Sequence, residues 1–290
     1  MENNKPITAA NVFAIEDGVL TKYCGVGDKV VIPEGVGAIG REAFMECSSL
    51  TDIIIPEGVE EIGPRAFAGC KNLTNVFLAE SVTIIDSFAF IDCISLKNIT
   101  IPPGVRVISR GVFRNCTSLT CVVIPRGVTE IGNGAFFCCC ALADITLPDS
   151  VKSIGNAAFL YCGSLTEITI PRSVTKIDAF TFFECASLAS ITIPRGVTEI
   201  GEQAFGHCKK LTSITIPEGV TKIGRWAFSV CGALTELILP ESLKEIGNAA
   251  FYKCNALTDI IWSREQREAF DWLISDGAPY KKKYSAGLGK

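Results

Sequence analysis

The sequence predicts a repeat solenoid: a coil with a parallel β-sheet along one face and short helical or turn segments opposite. Three observations lead there. Ile32, Ile55, Leu78, Ile101, Ile124, Leu147, Ile170, Ile193, Ile216 and Leu239 follow one another at a constant step of 23, ten copies with no insertion or deletion. Before each of them, apolar residues alternate with polar ones, which is the period of a strand with one buried face. No single copy can enclose its own apolar residues, whereas copies stacked side by side can.

One copy, LTSITIPEGVTKIGRWAFSVCGA (211–233), shows the logic. Ile214 and Ile216 alternate along a strand. Pro217 ends it by removing a ladder donor. Glu218-Gly219 turns the chain, with glycine free to take positive φ. Val220 to Ile223 is a second, shorter extended segment, and Gly224 breaks it. Phe228 and Cys231, three apart, share one side of a helical turn. Leu211, two Ile, Val220, Ile223, Ala227, Phe228 and Cys231 all point inward. With strands ~4.8 Å apart, ten such coils make a rod or arc roughly 48 Å long.

A stacked core needs lids at both ends. Residues 1–31 read as an N-terminal capping hairpin, with Phe13, Ile15, Val19, Leu20 and Tyr23 around an Asp17-Gly18 turn. Residues 32–261 are the ten repeats. Residues 262–290 read as a capping helix, from about Arg264 to Ser275, followed by a flexible tail. Ser263 and Gln266 form its capping box, and Ala269, Phe270, Leu273 and Ile274 share one face.

Composition narrows the function. Of 290 residues, 48% are apolar and the net charge is −4, with both signs interspersed. That balance gives no pull toward nucleic acid or an anionic membrane surface. No apolar run approaches the ~18 residues of a spanning helix, so membrane insertion is not expected. The opening MENNKPITAANVFAIEDG lacks a basic region followed by an apolar core. As written, the chain is expected in the cytoplasm; a surface or secreted location follows if an export signal has been removed.

Fourteen cysteines are present, and ten of them occupy one column, from Cys47 to Cys254 in steps of 23. Side chains in a ladder point the same way, not at each other, so this column reads as small buried thiols beneath the phenylalanines. A column strung along a rod cannot converge four ligands on a metal. Unpaired thiols in this number favour a reducing compartment. The one local cluster is Cys138-Cys139-Cys140; with Cys139 inward, its neighbours point elsewhere, and a redox or metal role there stands only as the alternative to plain thiols. The single histidine, His207, stands in a mixed, solvent-facing column. It diverges from Cys208 by about 100° on a helical turn, which argues against a nucleophilic pair. Glycine-rich phosphate motifs are missing. The chain reads as a non-enzyme with no cofactor and no metal.

Recognition must then come from the variable columns. On the strand face these present Phe77, Thr100, Val123, Thr146, Thr169, Thr192 and Thr215, with Asp144 and Glu167 beside them, as the candidate binding face. The plain alternative is that threonine serves strand propensity and cross-strand contact. A secondary patch collects Phe88, Phe137, Phe180, Phe183 and Trp226 on the helical side, with Arg126, Arg172 and Arg195 as a docking spot for an anionic group. Lys176, Glu199, Lys222 and Glu245 alternate in sign at successive coils, a structural pairing.

The pattern L-x-x-I-x-I-P-x-x-V-x-x-I-G-x-x-A-F-x-x-C over residues 13–261 resembles the BspA-type leucine-rich repeats of bacterial surface proteins. The segment IEDGVLTKYCGVGDKVVIP (15–33) resembles that family's entry segment. The resemblance implies a leucine-rich-repeat right-handed coil and an adhesion-type module that binds a protein or another macromolecule. The alternatives are a structural or self-associating scaffold using the helical-side aromatics, and a carbohydrate-binding surface module. The last would call for aromatic rings on the strand face, where only Phe77 stands.

Overall fold

The structure, a computed structural model, describes residues 12–261. The expected C-terminal helix therefore lies outside the described residues. Each 23-residue copy closes one coil, and the next coil lies on it in register. Strands such as Asp52–Ile55 and Asn75–Leu78 pair in parallel, Ile53 opposite Val76 and Ile54 opposite Phe77. Two-residue strands such as Lys176–Ile177 and Glu199–Ile200 form a second parallel ladder, Ile177 opposite Ile200. The long strands bury their central residue and expose its neighbours, as Ser213–Thr215 does around Ile214. The long-strand ladder is interrupted between Cys121–Val123 and Glu167–Thr169. Ile145 and Leu147 of the intervening coil stay buried, so the core runs through the gap.

The N-terminal lid is a hairpin. Strand β1 (Phe13–Glu16) pairs antiparallel with β2 (Val19–Tyr23) across Asp17-Gly18, both at positive φ (49° and 77°), as a primed two-residue turn requires. β2 then pairs in parallel with Ala38–Ile39, Leu20 opposite Ile39. The hairpin thus extends the short-strand ladder and buries Leu20 and Tyr23. Ile15 stays exposed, away from the core.

Down the axis runs a file of rings. Tyr23 stacks on Phe44, and stacking continues coil by coil through Phe67, Phe90, Phe113, Phe136, Phe159, Phe182, Phe205 and Phe228 to Phe251. Neighbouring centroids are 4.9–5.8 Å apart, and the ten Phe rings are essentially inaccessible. The coil spacing sets that distance, which also suits offset aromatic pairs.

The Ala-Phe-x-x-Cys segment is not a helical turn, and the described residues contain no helix. In the ninth copy Ala227, Ser229 and Cys231 donate N–H bonds three residues back, to the carbonyls of Gly224, Trp226 and Phe228. The intervening Trp226, Phe228 and Val230 donate instead to Asn248, Ala250 and Tyr252 of the next coil, at 3.1, 2.7 and 2.6 Å. This alternation requires left-handed backbone at Trp226 (φ 55°) and Val230 (φ 61°), which no helix propagates. The strain is of the order of 1–2 kcal/mol per residue. It is offset by an otherwise orphaned N–H that finds a partner in the neighbouring coil. Every coil repeats it at the same two columns, including Phe88, Cys138 and Tyr161.

Gly224 does not break the short strand by backbone freedom. Its φ is ordinary, and its N–H donates to Ile200 O at 2.7 Å. A Cβ there would stand 2.5 Å from the Glu202 nitrogen, so the neighbouring backbone leaves room only for hydrogen. The same column carries Asp86, Ser109 and Asp178 in three coils; the short-strand ladder is interrupted at Ser109 and Asp178, whereas Asp86 keeps its N–H bond to Ile62 O at 2.8 Å. Ser109 there offers its hydroxyl, not its N–H, to Ile85 O, at 2.6 Å.

Two substitutions separate close approach from simple glycine content. Gly224→Ala is expected to cost about 1–3 kcal/mol, the usual penalty for overpacking. Gly232→Ala, whose Cβ would meet nothing within 4 Å, should stay within about 0.5 kcal/mol of wild type. Phe136→Ala should cost about 3–5 kcal/mol. Urea denaturation of the three variants measures all of these; equal effects of the two glycine substitutions would refute the packing account.

Candidate functional site

The long strands place the predicted columns on one exposed face. Thr100, Thr146, Thr169, Thr192 and Thr215 are all exposed, as are Asp144 and Glu167. Val123 is 51% and Phe77 56% exposed. Strand register aligns neighbouring members of the array: Thr169 lies opposite Thr192 and Thr215 opposite Ile238. At the N-terminal end the face changes character. Val31 lies opposite Ile54 and Ile54 opposite Phe77, three exposed apolar side chains on consecutive coils. Val31 was readable only as a column member, an apolar residue where five later coils carry Thr. Beside them the Asp52 carboxylate accepts hydrogen bonds from the Thr51 hydroxyl at 2.6 Å and the Asn75 amide at 2.7 Å, and these hold its pKa below the ordinary range.

The turn side carries the second group of residues. Phe88, Phe180 and Trp226 occupy the first left-handed column and are half-buried. Guanidinium groups cover two of them: Arg65 and Arg110 lie 5.8 and 5.6 Å from the Phe88 ring centre, and Arg225 lies 3.9 Å from that of Trp226. Phe137, Tyr161, Phe183 and His207 form a continuous run of ring contacts across four coils, at 5.8, 6.0 and 5.0 Å, joined by Phe180 against Phe183. Arg114 caps the Phe137 end at 4.1 Å. Tyr161 and Arg114 were missed in the sequence: Tyr161 stands in the mixed column of His207, and Arg114 is the one charged residue in the column of Phe137 and Phe183.

Arg126, Arg172 and Arg195 are exposed, but they sit in the Pro-x-Gly turn between the two strands of each coil. The aromatic run follows the short strand, so the structure places rings and arginines in different turns. Lys176, Glu199, Lys222 and Glu245 do meet in one line, with N–O distances of 3.4, 3.6 and 3.9 Å. Glu199 above all, then Asp178, raises the Lys176 pKa. His207 turns away from Cys208: its Nδ1 lies 2.7 Å from the Glu184 carboxylate, while the Cys208 thiol points inward.

Nine of the column's thiols share one role. Each donates to the carbonyl of the Phe in the preceding coil, at 3.0–3.3 Å, from Cys70 on Phe44 to Cys254 on Phe228. That carbonyl already accepts the N–H three residues ahead of it within its own coil. The thiol fills its second lone pair, so cysteine here is a small residue that also satisfies a buried acceptor. No group of three or more His, Cys, Asp or Glu among the described residues is arranged to hold a metal ion. Between the last two coils lies a shallow cleft of about 310 Å³, with Gly224 and Gly247 on its wall and Lys222, Arg225 and Lys244 at its rim.

This architecture is that of the bacterial leucine-rich repeat solenoids, and the chain belongs to the BspA type leucine rich repeat family, whose model matches residues 15–139 and 129–258. A leucine rich cell surface protein from Faecalibacterium prausnitzii is 28% identical over 89% of this chain and 94% of that one, with a TM-score of 0.50. A leucine-rich repeat protein from Eubacterium ventriosum is 23% identical over 83% of this chain and 77% of that one, with a TM-score of 0.52. The pneumococcal vaccine antigen PcpA is 17% identical over 82% and 69%, with a TM-score of 0.54. The last two share the fold. No curated protein matches the chain.

The buried thiols generate a pH dependence. Burial pushes the pKa of Cys93, Cys116, Cys139, Cys162, Cys185, Cys208 and Cys231 well above the ordinary 9.0. An unfolded chain releases those protons near pH 9 while the folded chain keeps them. Their contribution to stability is therefore complete below about pH 9 and is lost as pH rises beyond it, by up to about 1.4 kcal/mol per thiol per pH unit. Circular dichroism should show steep unfolding on the alkaline side, less steep in Cys162→Ala; a transition of unchanged steepness would refute the thiol contribution.

Proposed function

We propose that this protein is a non-enzymatic, adhesion-type module that binds another protein through its strand face. The observation that carries this reading is the in-register apolar stripe of Val31, Ile54 and Phe77. Five later coils carry threonine in the same column, as Thr100, Thr146, Thr169, Thr192 and Thr215, so the core does not require apolar residues there. Large exposed apolar groups that neighbour one another mark interaction surfaces. Phe77 is the anchor, being the largest and flanked by β-branched side chains that exclude water around it. Threonines and the carboxylates of Asp144 and Glu167 continue the face as a polar rim. Lone aromatic character at Phe77 fits a protein partner better than a sugar, which needs several ring platforms.

A second reading rests on the turn side. The run Phe137–Tyr161–Phe183 supports self-association into a scaffold. Light scattering after size exclusion distinguishes it: a dimer lost on Phe180→Asp, whose ring packs on Phe183, supports that scaffold, and a monomer counts against it.

The strand-face reading is tested by affinity capture from lysate, envelope fractions and surface extracts with three chains. Wild type and Tyr161→Ser should retain the same discrete protein partner. Ile54→Asp combined with Phe77→Asp should weaken it by tenfold or more, about 1.4 kcal/mol or above, at unchanged melting temperature. Equal retention by all three chains would reject the strand face as the binding surface.

A further inference from the structure

One pair of thiols is used neither by the core nor by the strand face. Cys139 belongs to the inward column: it is buried, its thiol donates to Phe113 O at 3.2 Å, and its N–H donates to Phe136 O at 3.1 Å. The preceding N–H, of Cys138, donates to Leu160 O of the next coil at 2.7 Å and holds Cys138 at φ 57°. With the residue between them pinned inward, Cys138 and Cys140 stand on the outside of the turn. Cys138 is half-buried and Cys140 exposed, so both thiols open on the outer side of the same turn. In no other copy do cysteines occupy both flanks of the inward one. Residues two apart have Cα atoms no more than about 7 Å apart even when extended. A turned chain brings them within the span of a disulfide.

We propose that Cys138 and Cys140 are a redox modification site, which a low-molecular-weight disulfide oxidises to a reversible intramolecular bridge. The thiolate of Cys140, the exposed partner, attacks one sulfur of R–S–S–R. That S–S bond breaks, and R–S⁻ leaves and takes up a proton, so Cys140 carries a mixed disulfide. Cys138 then gives up its proton to solvent and attacks the Cys140 sulfur, expelling the second R–S⁻, which is protonated in turn. In sum two protein thiols are oxidised to one disulfide, and one small disulfide is reduced to two thiols. Burial, reinforced by Cys140, pushes the Cys138 thiol up to about 11, so it waits as a protonated resolving partner while Cys140 takes the first step. The column thiols are poor competitors, because they are enclosed and already donate to carbonyls. The bridge closes the turn next to Phe137 and, through Leu160, beside Tyr161 of the following coil.

The test uses the full, reduced chain incubated with oxidised glutathione under native conditions. It is then alkylated in denaturant without reductant, digested and mapped by mass spectrometry. The expected product links Cys138 to Cys140 with the loss of two hydrogens. That link takes two of the fourteen thiols; glutathione adducts on the exposed Cys24 and Cys121 are mapped and counted separately, and a reductant restores every thiol. Cys138→Ser should stop at a stable glutathione adduct on Cys140, and Cys140→Ser should give neither link nor adduct at Cys138. The proposal is overturned by a stable adduct on Cys140 of the wild-type chain with Cys138 free. A link mapped elsewhere, such as Cys47 to Cys70, or no loss of thiols, overturns it equally.

Discussion

Registered hydrogen bonding between one coil and the next is the constraint on which the rest of this structure depends. A parallel strand has no use for its own neighbours in sequence; its N–H and C=O groups must be met by another strand. Here they are met 23 residues away, at Ile177 with Ile200 and at Ile53 with Val76. A slip of one residue would turn the inward isoleucines to solvent. The absence of any insertion between copies follows from this. Stability in such an array is a sum of nearest-neighbour terms, so each coil depends on the two beside it and on little else.

The turn segment shows how far that constraint reaches. Left alone, a stretch such as Trp226 to Cys231 would avoid positive φ, above all at the β-branched Val230. It accepts left-handed backbone because alternate N–H groups can then serve the neighbouring coil. The same economy explains the cysteines. A Phe carbonyl inside the coil has a second lone pair and no water, and a thiol is small enough to reach it beneath the stacked rings. Cysteine is thereby a structural polar group in a core that appears wholly apolar.

Function inherits the same arrangement. Because the inward columns alone hold the coils together, outward columns are free to differ, and a change at one position alters the surface of one coil only. Val31, Ile54 and Phe77 make the first coils apolar on the strand face where the middle coils carry Thr. On the other side, Arg114 and Arg225 lie over rings that would otherwise stand bare. The solenoid is a scaffold with two independently variable faces, and the faces do not share residues.

What the sequence determined by itself was the period, the inward columns and the lid. The file from Phe44 to Phe251, the cysteine column, the alternating strands and the Asp17-Gly18 hairpin follow from local pattern and spacing, because burial and β-pairing act at every coil alike. The two outward strand columns were equally legible, since period two leaves them no other direction. Only the tertiary structure decided the left-handed turns, because Phe88 and Val230 reveal no such preference until a neighbouring carbonyl offers a bond. It alone explained Gly224, whose missing side chain answers to the backbone of Gly201 and Glu202 and not to its own φ. It alone separated Arg126, Arg172 and Arg195 from the aromatic run and turned Cys138 and Cys140 outward on either side of the buried Cys139. Such proximities are properties of the space between coils, and no single 23-residue copy contains that space.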